Sequence, residues 1–515
     1  MAAEARRGDL AFGAWVGAGL AVLIGVVYRD AFRAWFLSDD YHWLASADVR
    51  EVLRSFVGSW GWGPAYRPLA RTAFLLEARA FGTWAIAWHA ASLALLVLDG
   101  TLLAQLLLRL SRSPVLAATA SAVFVLLPLD HESAIWLSGQ MHLIALALAL
   151  GALLSFESFV ERPSRRRLAA CAVWYAAGLL TYEAAVVVVP LAILATAQRW
   201  RDRDARAAAI RGLAVLVVVT GAYAALRWHA VGGETLYPMR PLRDVASRSF
   251  FDHLATAGRT LVGQVGVSRW LLAAAACATA IASPRFLVAA ALGCLAAAVA
   301  YAPFALVNAY APRFFFMSGI GIAVALGALV AGVARLRAIG PIAAIALAAT
   351  IAHSLIPRTE AMAAAHRAAG ALERRVLEEV AVVNGVSNPP ARVFVLGVPD
   401  DVAGIAVFYN SVGDAVRVFA PGCRARVVIV RDRQRKRLVE RLARRDARRG
   451  DEATTDHPRA ARPGGRAPGA RRRPNALDGF LANRTAFLLV DRDATSVGPI
   501  DRADAIRWIR RAPPP

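Results

Sequence analysis

Long apolar segments recur between Ala11 and Ile356, and they restrict the possible folds of this chain more than any other feature. A helix needs about 20 apolar residues to cross a hydrocarbon core about 30 Å thick. Hydrophobic residues make up 57% of the 515 positions, too many for a soluble enzyme of this length. The sequence therefore predicts an integral membrane protein built from α-helices.

Eleven segments are predicted to span the membrane. They are 10–28, 84–108, 114–129, 141–160, 167–181, 184–198, 212–228, 269–283, 286–306, 314–334 and 339–356. The fifth and sixth could form one long tilted helix, but this would place the Glu183 carboxylate at mid-membrane, which is costly. Two separate spans are the better interpretation.

Arginines in the short connections between these segments predict the orientation of the chain. Examples are Arg109, Arg162, Arg199, Arg285 and Arg335. The positive-inside rule assigns such connections to the cytoplasm. The N-terminus is then cytoplasmic and the C-terminal region external, and we expect a bacterial inner membrane.

The chain changes character after Pro357, which predicts two domains. Residues 1–357 form the membrane domain, and residues 358–515 form a small external α+β domain. The second domain is expected to start with a helix over 358–382. Four strands are then predicted, and they are Arg392–Leu396, Val416–Phe419, Val427–Val430 and Ala486–Val490.

The net charge of +23 does not indicate a nucleic-acid-binding protein, because about half of the excess lies between Arg424 and Arg473. Within that part, an insertion at about 431–474 is rich in Arg, Pro and Gly and has the composition of a disordered segment. Such a segment is either solvated or bound to anionic lipids, so we expect membrane lipids and no nucleic acid as partners. The four cysteines are too few and too scattered for a disulfide framework or a zinc cluster.

Two adjacent carboxylates, Asp39 and Asp40, follow the first span and lie among aromatic residues in the first external loop. Partial burial and mutual repulsion raise the pKa of one carboxyl in such a pair, which suits a general base. The oxygens also suit a divalent cation such as Mg²⁺ or Mn²⁺, for which Asp40 and Glu132 are the candidate ligands, although no cofactor is firmly indicated. The structural alternative is a helix N-cap, because Ser38-Asp39-Asp40 is an ordinary capping sequence.

Five further motifs accompany the acidic pair. They are Tyr66-Arg67-Pro68-Leu69, Trp88-His89, Pro128-Leu129-Asp130-His131-Glu132 with Gly139, Leu179-Leu180-Thr181-Tyr182-Glu183, and Tyr310-Ala311-Pro312-Arg313. Their order and predicted sidedness resemble the GT-C superfamily of polyprenyl-phosphate-sugar-dependent glycosyltransferases, which includes protein O-mannosyltransferases and their TPR-bearing relatives. The resemblance covers about residues 30–360. Gln140 and Tyr182 depart from the family pattern, and no TPR array follows the spans.

The resemblance implies an inverting glycosyltransferase at the outer face of the membrane. One carboxylate, Asp39 by a narrow preference over Asp40, would deprotonate an acceptor hydroxyl, which attacks the anomeric carbon of a sugar on a polyprenyl-phosphate donor. Arg67 and Arg313 would bind the leaving phosphate, for which a guanidinium is well suited. The alternative is that both arginines extend to the membrane surface and pair with lipid headgroups.

Several residues of these motifs are candidates for orienting the acceptor: Tyr66, His131, Glu132, Glu183 and Tyr310. Alternatively, His131 and Glu132 form a polar cap on a pair of helices. Glu183 could equally be an acid at a helix start, where the helix dipole favours a negative charge.

Two other functions stay open. A polymerase or ligase of lipid-linked polysaccharide should carry its key residues in a large late loop. A transporter or flippase should carry ionisable residues or broken helices near mid-membrane.

Overall fold

The computed structural model describes residues 2–59, 63–234, 248–306, 311–385, 389–409, 411–431, 485–491 and 493–510. Sixteen α-helices come first along these ranges. They are α1 Ala2–Val27, α2 Asp40–Ala45, α3 Val49–Ser55, α4 Pro68–Phe81, α5 Ala85–Ser111, α6 Pro114–Leu126, α7 His131–Ala134, α8 Gln140–Glu161, α9 Arg165–Thr181, α10 Val188–Thr196, α11 Arg203–Val231, α12 Arg248–Val265, α13 Arg269–Ala282, α14 Pro284–Leu306, α15 Phe316–Val333 and α16 Gly340–Asn384.

The helices confirm the prediction of a polytopic α-helical membrane protein. Over the described ranges, seven helices are long and apolar enough to cross a membrane, or eight if a pair bent by 88° counts as one span. Two shorter apolar helices, Pro114–Leu126 and Glu183–Thr196, are additional. All eleven predicted segments lie mostly on helices. The orientation of the termini stays a prediction.

The chain divides into two compact units. The first contains Met1–Ala34 and Ser46–Arg367, and the second contains Trp35–Ala45 and Ala368–Pro515. The predicted boundary at 357/358 falls inside α16, which continues without a break from the last apolar segment into the polar one.

Close helix packing in the first unit depends on small residues. A Cβ atom added to Gly293 of α14 would lie 2.6 Å from the backbone oxygen of Gly321 in α15. A Cβ on Gly321 would lie 2.3 Å from the backbone nitrogen of Ala297. These distances are too short for any side chain, so the two glycines allow α14 and α15 to approach each other, as small residues do between membrane helices.

The second unit contains a mixed four-stranded sheet in the order β4-β1-β5-β6. Strands β1 and β4 are parallel, as are β1 and β5, whereas β6 is antiparallel to β5. The elements are β1 Arg392–Leu396, β2 Asp401–Val402, β3 Ile405–Ala406, α17 Val412–Phe419, β4 Arg426–Val430, β5 Thr485–Val490, β6 Val497–Ile500 and α18 Arg502–Arg510. Apolar residues of β1, β4, β5 and α18 form one core cluster.

One predicted strand of this unit is wrong. Val416–Phe419 is the second half of the amphipathic helix α17. Val412, Ala415, Val416 and Phe419 repeat at the spacing of one helix face, and this pattern outweighs the strand preference of valine and phenylalanine. The predicted insertion lies outside the described residues from position 432 onwards.

Candidate functional site

The segment that carries the acidic pair, Trp35–Ala45, is part of the second unit. The rings of Trp35 and Phe36 lie 5.2 and 5.8 Å from that of Phe419 in α17. A Cβ on Gly370 of α16 would lie 2.9 Å from the Trp35 backbone nitrogen, so a glycine is needed for this approach. The acidic pair is therefore held by residues that follow it by more than 300 positions.

The Glu373 carboxylate holds this segment by hydrogen bonds to backbone N–H groups. Its Oε2 accepts from the Ser38 nitrogen at 3.2 Å, and its Oε1 accepts from the Phe408 nitrogen at 2.5 Å. Glu373 is fully buried. Because Ser38 has a positive φ of 47°, the chain turns sharply just before Asp39, and the bond to Glu373 fixes this turn.

Asp39 and Asp40 have different environments. Asp40 is 3% exposed, begins α2, and accepts a hydrogen bond on Oδ2 from the Leu37 nitrogen at 2.9 Å. Asp39 lies just before the helix and is only partly buried. The Asp40 carboxylate therefore holds the turn that precedes α2, because the N–H group that it binds lies before the helix. Asp39 is the more accessible of the two.

Two neighbours complete the contacts of this segment. His42 Nδ1 lies 3.1 Å from Asp414 Oδ2. The Tyr41 hydroxyl donates to the Phe36 carbonyl oxygen at 2.9 Å, and its ring is stacked with that of Phe408. Burial, followed by the electrostatic effect of nearby Glu373, raises the pKa of Tyr41 well above its ordinary value, so this phenol stays neutral. Burial also raises the pKa of Glu373 itself to about 8.

In the first unit, Arg67 forms a two-pronged ion pair with Glu183. Arg67 Nε lies 2.8 Å from Glu183 Oε2, and Nη2 lies 2.5 Å from Oε1. Its guanidinium lies 4.5 Å from the centre of the Tyr182 ring. Pro68 at the first position of α4 places Arg67 at the helix cap. Helix α9 ends at Thr181 and Tyr182 is extended, in agreement with two separate spans, so Glu183 lies at a helix break.

Arg313 forms a second ion pair, with Glu132. Its Nη1 and its backbone nitrogen each lie 3.1 Å from Glu132 Oε2. The guanidinium lies over the Trp136 and Phe314 rings, at 5.3 and 4.9 Å. The Arg313 side chain is 25% exposed, against 5% for Arg67, so Arg313 is more accessible to a ligand.

Aromatic residues connect the two ion pairs. His142 lies 4.4 Å from the Tyr182 ring, Tyr182 is stacked with Phe304, and Phe304 is stacked with Phe314. Within the first unit, the structure therefore brings the two ion pairs and the rings between them into one cluster. We call it the arginine cluster, and its members are Arg67, Glu132, His142, Tyr182, Glu183, Phe304, Arg313 and Phe314.

Gly139 shapes the edge of this cluster. A Cβ atom at this position would lie 1.9 Å from the Glu132 carbonyl oxygen. The turn before α8 can thus pack directly against the backbone of Glu132, and the Gly139 oxygen lies 2.7 Å from His142 Nδ1.

Two of the remaining predicted site residues, His131 and Tyr66, are buried and packed within the fold. His131 is 7% exposed, and burial lowers its pKa to about 4, so it is neutral at pH 7. Its ring lies 5.0 Å from that of His366. Tyr66 is buried, and its hydroxyl donates to the Phe56 carbonyl oxygen at 3.0 Å. Tyr310 lies outside the described residues.

The described residues contain no group of three or more His, Cys, Asp or Glu side chains that could hold a metal ion. Glu132, one of the two candidate ligands, uses one oxygen for Arg313, and Asp40, the other, uses one for a backbone N–H group. The divalent cation stays a prediction.

Sequence reasoning missed several buried acids. Asp99 lies fully buried in the middle of α5, Glu157 of α8 is 1% exposed and paired with Arg199, and Glu373 was assigned only to a polar helix. The first two were detectable as lone acids inside apolar segments. Glu77 of α4 is a further buried acid, and burial raises its pKa to about 7 although Gln140 donates a hydrogen bond to it.

No protein-family model and no curated protein matches the chain. Several solved structures are similar. ArnT from Cupriavidus metallidurans in the apo state is 14% identical with a TM-score of 0.44, covering 81% of this chain and 85% of that chain. ArnT from the same organism bound to undecaprenyl phosphate is also 14% identical, with a TM-score of 0.42, covering 81% of this chain and 86% of that chain.

A second similar protein is the archaeal oligosaccharyltransferase AglB from Archaeoglobus fulgidus, solved with an inhibitory peptide and a dolichol-phosphate. It is 14% identical with a TM-score of 0.42, and the match covers 79% of this chain and 64% of that chain. ArnT and AglB are GT-C proteins, and at 14% identity the likeness to them is one of fold alone.

Proposed function

We propose that this protein is an inverting glycosyltransferase that moves a sugar from a polyprenyl-phosphate carrier to an acceptor hydroxyl at the outer face of the membrane. The observation that carries the proposal is the arginine cluster, in which Arg67 and Arg313 are each paired with a carboxylate and connected by aromatic rings. Two arginines beside apolar rings suit a phosphate that is attached to an isoprenoid chain.

The reaction follows from the chemistry of these groups. Asp39 accepts the proton of the acceptor hydroxyl, and the oxygen attacks the anomeric carbon from the side opposite the phosphate. The bond between that carbon and the phosphate oxygen breaks, and its electron pair leaves with the polyprenyl phosphate. Arginine stabilises the charge that develops on the leaving phosphate, as preorganised cations do in other transfer reactions. Of the two arginines, the more exposed Arg313 is the better candidate for direct contact.

The two carboxylates are expected to contribute unequally. Asp40 accepts a hydrogen bond from the Leu37 backbone nitrogen, and an asparagine at this position retains an acceptor oxygen, so Asp40→Asn keeps this bond. Asp39→Asn removes the base itself. Loss of a general base costs about 10²- to 10⁴-fold in rate. We therefore expect Asp39→Asn to lose at least 100-fold and Asp40→Asn to lose less.

The test uses purified protein in liposomes with a panel of radiolabelled polyprenyl-phosphate sugars, scored for release of the sugar to an acceptor or to water. Asp48→Asn is the matched control, because Asp48 is an exposed N-cap of α3 in the same loop and asparagine caps equally well. Arg313→Gln should also lose transfer. Full activity of the Asp39→Asn, Asp40→Asn double variant would contradict the proposal.

Asp99 supports a second candidate function, a transporter or flippase. An ionisable residue buried at the middle of a span is a common feature of substrate and proton pathways. Under the glycosyltransferase proposal, Asp99→Asn leaves transfer measurable. Movement of lipid-linked sugar across vesicle membranes by the wild-type protein, lost in Asp99→Asn, would favour the second candidate instead.

A further inference from the structure

A cavity of about 340 Å³ lies among the helices of the first unit, separate from the arginine cluster. Its walls come from α5, α6, α8, α10, α14 and α15, and they consist almost entirely of Leu, Ala, Val, Ile, Met and Phe side chains. Its volume lies in the range of about 300–1,000 Å³ that is typical of ligand sites. Water has few hydrogen-bond partners in such an apolar space, so an apolar occupant is favoured.

The cavity is polar at one end. Arg199, Arg285 and Ser111 line it there, at the end of the spans where the arginine-rich connections lie. Arg199 is paired with Glu157 and Glu161. Arg285 is exposed, stacks on the Phe286 ring at 4.8 Å, and has no carboxylate partner among the described residues. One guanidinium at the mouth is thus available to compensate an anionic group.

The length of the cavity fits one leaflet of a bilayer. Its lining on α14 extends from Arg285 to Ala296, which corresponds to about 17 Å at the helical rise of 1.5 Å per residue. Half of a hydrocarbon core of about 30 Å is about 15 Å. A phospholipid with its phosphate at Arg285 would therefore bury one acyl chain along the cavity, whereas a long polyprenyl chain would exceed it.

We propose that this cavity binds one acyl chain of an anionic phospholipid, whose phosphate pairs with Arg285. The occupant is a diacyl lipid of the surrounding bilayer with a net negative headgroup, such as phosphatidylglycerol. This site is separate from the donor site of the proposed reaction and does not depend on that reaction.

The test is native mass spectrometry of the full chain in detergent, titrated with phosphatidylglycerol or with phosphatidylcholine of the same chain length. We expect one phosphatidylglycerol site that is tighter than any phosphatidylcholine site. Because one arginine near an anionic lipid surface contributes about 1 kcal/mol, Arg285→Gln should weaken this binding about fivefold. Arg337→Gln, an exposed arginine of another connection that does not line the cavity, should leave it unchanged.

A second variant and two further ligands make the test decisive. Ala289→Phe places a ring in the cavity and should abolish the phosphatidylglycerol site, while Arg285→Gln at an exposed position preserves the fold. Equal binding of the two phospholipids, or no effect of Arg285→Gln, overturns the proposal. Displacement of the lipid by inorganic phosphate would show a free-anion site, and displacement by undecaprenyl phosphate at equal concentration would show a carrier-lipid site. Either result overturns the assignment.

Discussion

Replacement of Glu373 by glutamine should loosen the segment Trp35–Ala45 selectively. The two carboxylate oxygens of Glu373 accept hydrogen bonds from the backbone nitrogens of Ser38 and Phe408. A glutamine of nearly the same shape retains one acceptor oxygen and places an NH₂ group where the other oxygen was. The shorter bond, to Phe408, is the one that the amide should keep, so the Ser38 N–H loses its acceptor.

The magnitude follows from the burial of this site. Glu373 is 0% exposed, so water cannot replace the lost acceptor. Leaving a buried donor unsatisfied costs about 1–3 kcal/mol. If this cost destabilises the segment Trp35–Ala45, the free energy of its local opening falls by the same amount. The equilibrium constant for opening then rises by a factor of about 5–150.

Hydrogen–deuterium exchange of the detergent-solubilised protein measures this opening directly. Amides of Trp35–Ala45 should exchange about 5- to 150-fold faster in Glu373→Gln, whereas amides in the middle of α5 should not change. The control is Glu379→Gln on the same helix, since Glu379 is half-buried and has no hydrogen bond or ion pair to Trp35–Ala45 among the described residues. Glu378 is less suitable, because its partner Arg374 stacks on the Trp35 ring. Equal exchange of the segment in wild type and Glu373→Gln would refute the holding role of Glu373.

Three further predictions concern the first unit. The raised pKa of Glu77 means that the folded protein holds an extra proton between about pH 4.5 and 7, so stability falls as the pH rises through this window. Glu77→Gln should remove this loss and raise the melting temperature at pH 8 but not at pH 4; a lower melting temperature at pH 8 would contradict it. Glu183→Gln leaves the buried Arg67 guanidinium with a neutral partner, but the Glu183 side chain is 42% exposed, so water compensates in part and the cost should be about 1–3 kcal/mol of stability, measured by thermal unfolding; an unchanged melting temperature would argue against the ion pair. Gly139→Ala should displace Glu132 and lower both stability and transfer, whereas Gly221→Ala, where a Cβ meets nothing within 4 Å, should be neutral; equal behaviour of the two alanine variants would disprove the close approach.

Local patterns in the sequence predicted the membrane helices well, because the length and hydrophobicity of each span are properties of neighbouring residues. Strands β1, β4 and β5 were also predicted, because each is a short run rich in Val, Ile, Leu or Phe. The strand assigned to Val416–Phe419 was wrong because its helical periodicity becomes visible only when the pattern is followed back to Val412.

The environment of the acidic pair could not be predicted in the same way. The contacts of Ser38 with Glu373 and of His42 with Asp414 join residues more than 300 positions apart. No local periodicity encodes such a pairing. The C-terminal region was therefore predicted as a separate domain of unassigned role, whereas the structure includes the first-loop segment in the same compact unit.

Burial separates residues that the sequence treats as equivalent. Two adjacent aspartates and two interfacial arginines are indistinguishable as residue types, but Asp40 and Arg67 are buried in defined hydrogen bonds and ion pairs, whereas Asp39 and Arg313 are more exposed. A group that exchanges protons or binds a phosphate must be reachable, whereas a group that holds the backbone or another element in place must stay paired. If transfer depends on Asp39 and Arg313, then Asp40 holds the turn before α2 and Arg67 holds the helix break at Glu183, and their conservative variants should affect stability more than rate.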